Sequence, residues 1–184
     1  YGGGVCQVST TLYNAAILAE LEITQRSNHS MIVSYVKPSM DAAIAGDYKD
    51  LRFVNNQDIP IYIEGYTEGK NVTFKIYGHD TRPSNRVVTY ESEVVSEQDP
   101  GTQYVATGDP AGYMKTAQGK HIGYVARLWK VVTVDGVEES REIFNKSTYK
   151  ASPKIVNVGT ASADPNVSAV IGAALATGDE ATIN

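Results

Sequence analysis

The spacing of apolar residues changes once, early in the chain, and this change limits the folds that the chain can adopt. Between about Val8 and Leu21 apolar side chains recur every three or four residues, at Leu12, Ala15, Ala16 and Ala19. That spacing predicts one amphipathic helix. Beyond it, apolar and polar residues alternate in short runs bounded by turn residues, which predicts strands. We therefore expect an α+β, mostly β fold: a helix packed on antiparallel strands, followed by an elongated all-β module.

The expected strands fall into two groups, separated where the alternation is lost. The first group is Ile32–Val36, Leu51–Val54 and a hairpin of Ile59–Tyr66 with Val72–Tyr77; the second is Arg86–Val95, Tyr124–Val134 and Val137–Ser147, with Asp135-Gly136 as a turn. These groups predict a first domain over residues 1–80, a linker over 81–85, a second domain over 86–161 and a flexible tail over 162–184. The alternative for the tail is a short helix that starts at Asp164-Pro165.

Composition and charge exclude several classes of partner. Sixteen Lys and Arg against 21 Asp and Glu give a net charge of −5, so no basic field attracts nucleic acid or anionic lipid. The apolar runs are shorter than the ~20 residues that a bilayer-spanning helix needs. One cysteine excludes an internal disulfide and a multi-cysteine metal site. No spacing of His, Asp and Glu is typical of a metal site, so we expect no metal and no cofactor.

Cys6 lies where a glycine-rich loop, residues 2–4, enters the expected helix. Free backbone N–H groups and the positive end of the helix dipole favour a thiolate at such a position. The same N–H groups could hold the oxyanion that forms when a thiolate attacks a carbonyl, and the glycines leave room for a substrate backbone. The alternative is that Cys6 is a small packed apolar residue, as free cysteines often are.

A nucleophilic cysteine needs a base, and the chain has three histidines. His29 follows the helix that begins near Cys6, in a polar segment before an expected strand. His79 falls in the expected linker region and His121 in the second domain, which favours surface positions for both. His29 is therefore the candidate base, with an exposed loop histidine as the alternative.

A third group should orient the imidazole of the base. Asp41 is our candidate because it is the nearest carboxylate in a mixed polar and apolar segment. Asp47 and Asp50 compete with it for this role. A capping or turn role is the alternative for all three.

The residues around Cys6 resemble the signature of the VanW domain. The string GGGVCQVSTTLYNA over residues 2–15 carries the resemblance; further blocks follow in order at His29-Ser30, Val33–Val36, Asp41-Ala42, Asp50–Phe53, Asn55-Asn56 and Pro60–Ile63. The resemblance covers about residues 1–77. It begins in mid-domain, because the family has a substantial stretch before the glycines, and we expect the chain to be part of a longer protein.

The second half of the chain resembles the five-glycine (G-five) domain of bacterial surface proteins, which commonly follows VanW. The landmarks are Gly119, Gly123, Asp135-Gly136, Arg141–Ile143 and Pro153–Thr160. This resemblance implies an extended β structure that binds cell-wall sugars.

The VanW resemblance implies a peptidoglycan L,D-transpeptidase with Cys6 as nucleophile. For this reaction we expect His29 to act as base and then as acid, and Asp41, chosen from its position in the sequence, to orient the imidazole. The expected substrate-binding residues are Gly3, Gly4, Gln7, Ser30 and Tyr35. The expected partners are peptidoglycan stem peptides and glycan, with no nucleic acid. The expected location is outside a Gram-positive cell, in the wall or anchored to the membrane through a preceding segment.

The rival hypothesis is a non-catalytic surface protein that binds peptidoglycan or a glycopeptide antibiotic, since VanW takes its name from an accessory gene of vancomycin-type resistance clusters. Cys6 would then be only a packed residue. We favour the enzyme, because an unpaired structural thiol outside the cell is vulnerable to oxidation.

Overall fold

The computed structural model describes residues 3–183, and most of its regular elements are strands. The elements in chain order are α1 Val5–Leu18, β1 Glu22–Gln25, β2 Arg52–Val54, β3 Tyr62–Glu68, β4 Asn71–Tyr77, β5 Arg86–Gln98, β6 Thr102–Pro110, β7 Met114–Gln118, β8 Gly123–Val134, β9 Val137–Tyr149, β10 Lys154–Ala161, α2 Pro165–Thr177 and α3 Glu180–Ile183. The expected α+β, mostly β class is confirmed. None of the helices described within residues 3–183 has the length and apolar character needed to cross a membrane.

Helix α1 begins and ends three residues earlier than the apolar spacing predicted. It starts directly after Gly4, and it ends before the chain reverses through Glu20, which has a φ of 54°. The buried residues of α1 are Ser9, Thr10, Tyr13, Ala16 and Ile17. The buried stripe therefore contains hydroxyl groups as well as apolar side chains, and periodicity of apolar residues alone does not find its edges.

The chain divides into two compact units. The first contains residues 3–96 and 125–149, and the second contains residues 97–124 and 150–183. Strands β5, β8 and β9 form one sheet in that order, although the sequence assigned all three to the second domain. The domain bounds expected from the sequence, 1–80, 81–85, 86–161 and 162–184, stay a prediction.

The core of the first unit explains why these strands join the helix. Tyr13 and Ile17 of α1 pack with Ala42 and with Leu128 of β8, and all four are at most 1% exposed. The apolar face of a single helix has to be covered by another element. Strand β8 supplies part of that cover from a distant part of the sequence.

Both expected hairpins form. Strands β3 and β4 pair in antiparallel register from Tyr62 opposite Tyr77 to Glu68 opposite Asn71. Strands β8 and β9 are joined by Asp135 and Gly136, which have φ values of 52° and 79°. Two successive positive φ angles are typical of the type I′ turn that matches the twist of a hairpin.

The expected strand at Ile32–Val36 is absent. No part of residues 26–51 is an extended strand. A strand needs a partner for its backbone groups, and residues 32–36 pair with no strand among the described residues. The residues that follow, at positions 38 and 40, are bonded by side chains. Ser92 Oγ donates to the carbonyl of Pro38 at 2.6 Å, and Asn14 Nδ2 donates to that of Met40 at 2.8 Å. The alternation of apolar residues here was therefore not evidence of pairing.

The second unit contains a pairing that the sequence did not predict. Strand β10 lies between β6 and β7, parallel to β6 and antiparallel to β7. Gly159 lies so close to β6 that a Cβ there would overlap the carbonyl oxygens of Asp109 and Pro110. Helix α2 follows, with Asp164 as its N-cap and Gly178 at its end with a φ of 67°. This part of the expected tail is helical.

Glu20 holds the turn after α1 through three cations. Its carboxylate bonds Arg86 at 2.5 and 3.0 Å, Lys130 at 2.8 Å and Arg82 at 3.3 Å. The hydrogen bonds from Arg86 are the largest cause that lowers the pKa of Glu20 from 4.5 to about 2, against the opposing effect of burial. The stability that this carboxylate contributes is therefore complete above pH 4.5 and is lost as the pH falls towards 2.

We predict that Glu20→Gln lowers the free energy of unfolding at neutral pH by about 1–2 kcal/mol, allowing for solvent screening. At pH ~3 the difference from the unchanged protein should narrow, because Glu20 then binds a proton in the unfolded chain but, with its lower pKa, remains mostly ionised in the folded protein. Urea titrations followed by the fluorescence of Trp129, which lies in the first unit, measure both values. Glu68→Gln on the exposed end of β3 is the control. An equal effect of Glu20→Gln at both pH values would contradict the prediction.

Candidate active site

Asp41 is a buried carboxylate that accepts four hydrogen bonds. Its side chain is 1% exposed. Oδ1 accepts from Arg26 Nη2 at 2.9 Å and from the Tyr149 hydroxyl at 2.5 Å. Oδ2 accepts from the backbone N–H of His29 at 2.7 Å and from its ring Nδ1 at 2.6 Å. Each carboxylate oxygen thus has two donors, which is the condition for burying an ionised group at low cost.

These contacts determine which nitrogen of His29 carries a proton. Burial acts to raise the pKa of Asp41, but hydrogen bonds from Tyr149 and His29 and the charge of Arg26 together lower it below 3.8. Asp41 is therefore ionised at neutral pH and can only accept hydrogen bonds. Nδ1 of His29 must then be the donor, which leaves the Nε2 lone pair of the neutral ring free to take a proton.

His29 Nε2 faces the hydroxyl of Tyr35. The two atoms are 3.4 Å apart and the rings meet edge to face. The His29 side chain is 18% exposed, so it is not the open loop histidine that was the alternative. Burial raises the pKa of Tyr35, a hydrogen bond with Thr10 opposes this, and electrostatic interactions with Cys6 and Asp41 raise it further. Tyr35 therefore lies within electrostatic range of both Cys6 and the His29–Asp41 pair.

Cys6 is the second residue of α1 and is partly buried. Its Sγ donates to the carbonyl of Ile44 at 3.5 Å. The N-cap Gly4 provides no side-chain acceptor, and the N–H of Val8 bonds to the carbonyl of Gly4 at 3.0 Å. The N–H groups before Val8 have no acceptor within the helix, so they remain available to an anion beside the thiol.

The segment from Asp41 to Ile44 connects the thiol to the imidazole. Ser9 Oγ donates to the carbonyl of Ala42, and the N–H of Ala42 donates to Thr10 Oγ1 at 2.9 Å. These bonds fix the segment on the buried face of α1. Asp41 at one end of the segment contacts the ring of His29, and Ile44 at the other end contacts the thiol.

The expected substrate-binding glycines border open space. A Cβ added to Gly3 or Gly4 would meet no atom within 4 Å. Gly4 has a φ of −108°, which any residue adopts, so the unusual backbone angles that glycine permits are not used there. Gly2 lies outside the described residues. Within residues 3–183 a side chain at either position would therefore meet open space, and the substrate-binding role of both glycines stays a prediction.

The other expected substrate-binding residues are exposed near the same elements. Gln7 lies on the first turn of α1, and its carbonyl accepts a bond from Thr11 Oγ1 at 2.7 Å. Ser30 follows His29, and its Oγ lies 3.4 Å from Lys49 Nζ. Tyr35 is 40% exposed. All three can be reached from solvent, and their roles stay predictions.

The competing residues have other contacts. Asp50 bonds the side chain of Arg52 at 2.8 Å and the N–H of Leu51 at 2.9 Å, and Asp47 is exposed in a turn. His79 and His121 are exposed. Among the three carboxylates considered from the sequence, Asp41 is the one that contacts the ring of His29.

An apolar groove of about 550 Å³ lies along the first turns of α1. Its lining is Gly4, Val5, Val8, Ser9, Leu12, Ile44 and Leu51. Ile44, which lines it, is also the residue whose carbonyl accepts the bond from the thiol. An apolar surface thus borders the candidate nucleophile. Within residues 3–183, no group of three His, Cys, Asp or Glu side chains is arranged to hold a metal ion.

Two residues of the site were missed in the sequence. Arg26 lies three positions before His29, so its charge next to a candidate base was an available local signal. Tyr149 is 108 positions from Asp41 and gives no local signal. Its contact depends on the packing of β9 in the first unit.

We predict that Asp41→Asn destabilises the first unit by about 3–5 kcal/mol, because it leaves the Arg26 guanidinium, which is 6% exposed, without its counter-charge. The folded pKa of Asp41 is lowered, so its contribution is present above its usual pKa and is lost as the pH falls below it. The difference in the free energy of unfolding between Asp41→Asn and the unchanged protein should therefore become smaller at acid pH. Denaturant unfolding at neutral and acid pH measures this. Asp47→Asn is the control, and an unfolding midpoint of Asp41→Asn equal to that of the unchanged protein would contradict the prediction.

Comparison with known proteins identifies both halves of the chain. A family model described as "VanW like protein" matches residues 1–77, and a G5 domain model matches residues 89–161. The "Uncharacterized protein YoaR" of Bacillus subtilis (strain 168) is 42% identical over 79 residues. This alignment covers 43% of the chain and 26% of YoaR, so the chain spans about a quarter of that relative.

Two solved G5 structures are also similar to the chain. The IgA1 protease G5 domain is 28% identical, covers 42% of this chain and 94% of its own, and has a TM-score of 0.29. The HP0197 G5 structure is 14% identical, covers 41% of this chain and 100% of its own, and has a TM-score of 0.25. The family matches confirm the resemblances read from the sequence: the chain carries a VanW domain over residues 1–77 followed by a G5 domain over residues 89–161.

Proposed function

We propose that this chain carries the catalytic site of a peptidoglycan L,D-transpeptidase that works through a Cys6 acyl-enzyme. The observation that carries the proposal is the His29 ring. Its Nδ1 is bonded to the buried carboxylate of Asp41, and its Nε2 lone pair faces the Tyr35 hydroxyl. Tyr35 in turn interacts electrostatically with Cys6. A cysteine nucleophile requires a base with a free lone pair, and we propose that His29 serves Cys6 in this role.

The proposed reaction has two balanced steps. In the first, the thiolate attacks the carbonyl carbon of the amide between the third stem residue and the terminal D-alanine. A C–S bond forms, the C–N bond breaks, and D-alanine leaves with a proton from the His29 imidazolium. In the second, an acceptor amine attacks the thioester and gives a proton to His29. The new amide is the 3–3 cross-link, and the thiolate is released.

The helix N-terminus supports the oxyanion of both tetrahedral intermediates. The N–H groups of the first turn of α1 have no side-chain cap, so they can donate to a negative oxygen next to Cys6. The open space at Gly3 and Gly4 leaves room for the stem peptide. The apolar groove beyond Ile44 suits an aliphatic part of the donor or acceptor peptide.

The two domains support peptidoglycan as the substrate class. Both VanW and G5 domains suggest a protein associated with peptidoglycan. We accordingly place the G5 domain on wall glycan and the protein outside the cell, in the wall or anchored at the membrane.

A second candidate function is a non-catalytic peptidoglycan- or glycopeptide-binding protein. The bond from Cys6 Sγ to the carbonyl of Ile44 favours it, because a packed thiol makes such a contact. The two functions differ in the reactivity of the thiol.

The central prediction concerns cross-linking. The whole gene product, incubated with disaccharide tetrapeptide, should release D-alanine and form a cross-linked dimer that mass spectrometry detects. Cys6→Ala should abolish the dimer, because no thioester can form. His29→Ala should lower the rate by about 10²–10⁴-fold, the usual contribution of a general base. His79→Ala on an exposed histidine is the matched control and should not change the rate. Dimer formation by Cys6→Ala at the unchanged rate would refute the thiolate mechanism.

The reactivity of the thiol separates the two candidate functions. For the enzyme we expect iodoacetamide to alkylate native Cys6 near neutral pH faster than it alkylates the urea-unfolded chain, because the proposed base can act on the thiol only in the folded protein. His29→Ala should remove this advantage. A packed cysteine would instead react faster after unfolding. Since the chain has one cysteine, the mass of the intact protein reports the reaction directly.

A further inference from the structure

We infer that strand β9, which belongs to the G5 match, supplies positioning residues for the proposed site: Tyr149 and Ser147 hold Asp41 and Arg26 in the geometry that fixes the His29 ring. The contacts are observed in the structure, whereas their role in catalysis rests on the proposed function. G5 residues would then complete the VanW site.

Three alternate residues at the end of β9 form what we call the β9 clamp: Asn145, Ser147 and Tyr149. Alternate residues of a strand share one face. Ser147 and Tyr149 are 3% and 2% exposed. Lys146 and Thr148, which alternate with the three clamp residues along the strand, are exposed. The side chains of the β9 clamp therefore point into the first unit, and each of the three makes a hydrogen bond to a residue of the VanW match.

Tyr149 is the donor that orients the carboxylate. Its hydroxyl donates to Asp41 Oδ1 at 2.5 Å and accepts from the N–H of Ser39 at 2.8 Å. Burial, with a further contribution from Asp41, raises the pKa of Tyr149 to about 12. The hydroxyl therefore keeps its proton at neutral pH and remains a donor.

Ser147 fixes the cation of the same pair. Its Oγ accepts from Arg26 Nη1 at 2.8 Å. Arg26 also donates from Nη2 to Oδ1 of Asp41 at 2.9 Å and from Nε to the backbone carbonyl of Asp41 at 2.6 Å. The guanidinium is thus held in three directions. Asn145 adds bonds from Nδ2 to the Tyr13 hydroxyl at 2.7 Å and to the carbonyl of Ser39 at 3.2 Å.

The division of donors between the two carboxylate oxygens explains why these contacts position the histidine. Arg26 and Tyr149 occupy Oδ1, which leaves Oδ2 for the two N–H groups of His29. Removing the Tyr149 hydroxyl leaves Oδ1 with one donor and allows the carboxylate to rotate. The preference for a proton on Nδ1 then weakens, because the acceptor that selects this tautomer is no longer held in place.

The test is the tautomer of the neutral His29 ring in Tyr149→Phe and Ser147→Ala, measured from its ring ¹⁵N chemical shifts over a pH series. In the unchanged protein we expect the Nδ1–H form to dominate. In both variants we expect a shift towards the Nε2–H form, larger for Tyr149→Phe. The matched control is Tyr62→Phe, which removes a hydroxyl from a side chain that is 65% exposed and should not change the tautomer.

A second readout measures the consequence for the thiol. Alkylation of Cys6 as a function of pH should become about tenfold slower near neutral pH in Tyr149→Phe, which corresponds to one hydrogen bond to a charged group. Near-ultraviolet circular dichroism checks the fold of each variant. If Tyr149→Phe does not fold, Ser147→Ala, which removes a smaller group, decides the question.

The outcomes distinguish the inference from the proposed function. A folded Tyr149→Phe or Ser147→Ala protein with a changed tautomer supports the inference even if the unchanged protein forms no cross-link, in which case only the proposed function fails. An unchanged tautomer and an unchanged alkylation profile in the folded variants would overturn the inference, and the β9 clamp would then serve packing alone.

Discussion

The ionised carboxylate of Asp41, buried beside the Arg26 guanidinium, is the constraint on which the rest of the first unit depends. A buried charge is tolerated only when its partners are all present, and here they come from two distant parts of the chain. Arg26 and His29 follow β1, whereas Tyr149 ends β9. The requirement to satisfy one carboxylate therefore fixes where the irregular segment after β1 and the last strand of the unit must lie.

The same constraint explains how a functional site is built on backbone that has no regular structure. Residues 38–42 have no strand partner, and side chains of α1, β5 and β9 bond their backbone groups instead. Loops held in this way can place reactive groups accurately. In this protein the same segment contacts both the His29 ring, through Asp41, and the thiol of Cys6, through Ile44, and the proposed acyl transfer uses these two groups.

The features that local chemistry determines were predictable from the sequence, and those that depend on distant packing were not. Glycines before an apolar stripe located the start of α1 near Cys6, and Asp135-Gly136 located the hairpin of β8 and β9. The Ile32–Val36 segment was wrongly assigned to a strand, because alternation does not reveal whether a partner exists. Asp41 could be named only as the nearest carboxylate. Its selection over Asp50 and its bond to Tyr149 arise from the tertiary fold, since residues 108 positions apart share no local pattern.

The central claim is that Cys6, assisted by the His29–Asp41 pair, forms a thioester with a peptidoglycan stem. The most direct test is the intact mass of the protein after mixing with a tetrapeptide donor in the absence of an acceptor amine, followed by peptide mapping. The account predicts an increase equal to the donor mass minus D-alanine, located on Cys6 and reversed by hydroxylamine. Release of D-alanine without any adduct on Cys6, or an adduct on another residue, would contradict it.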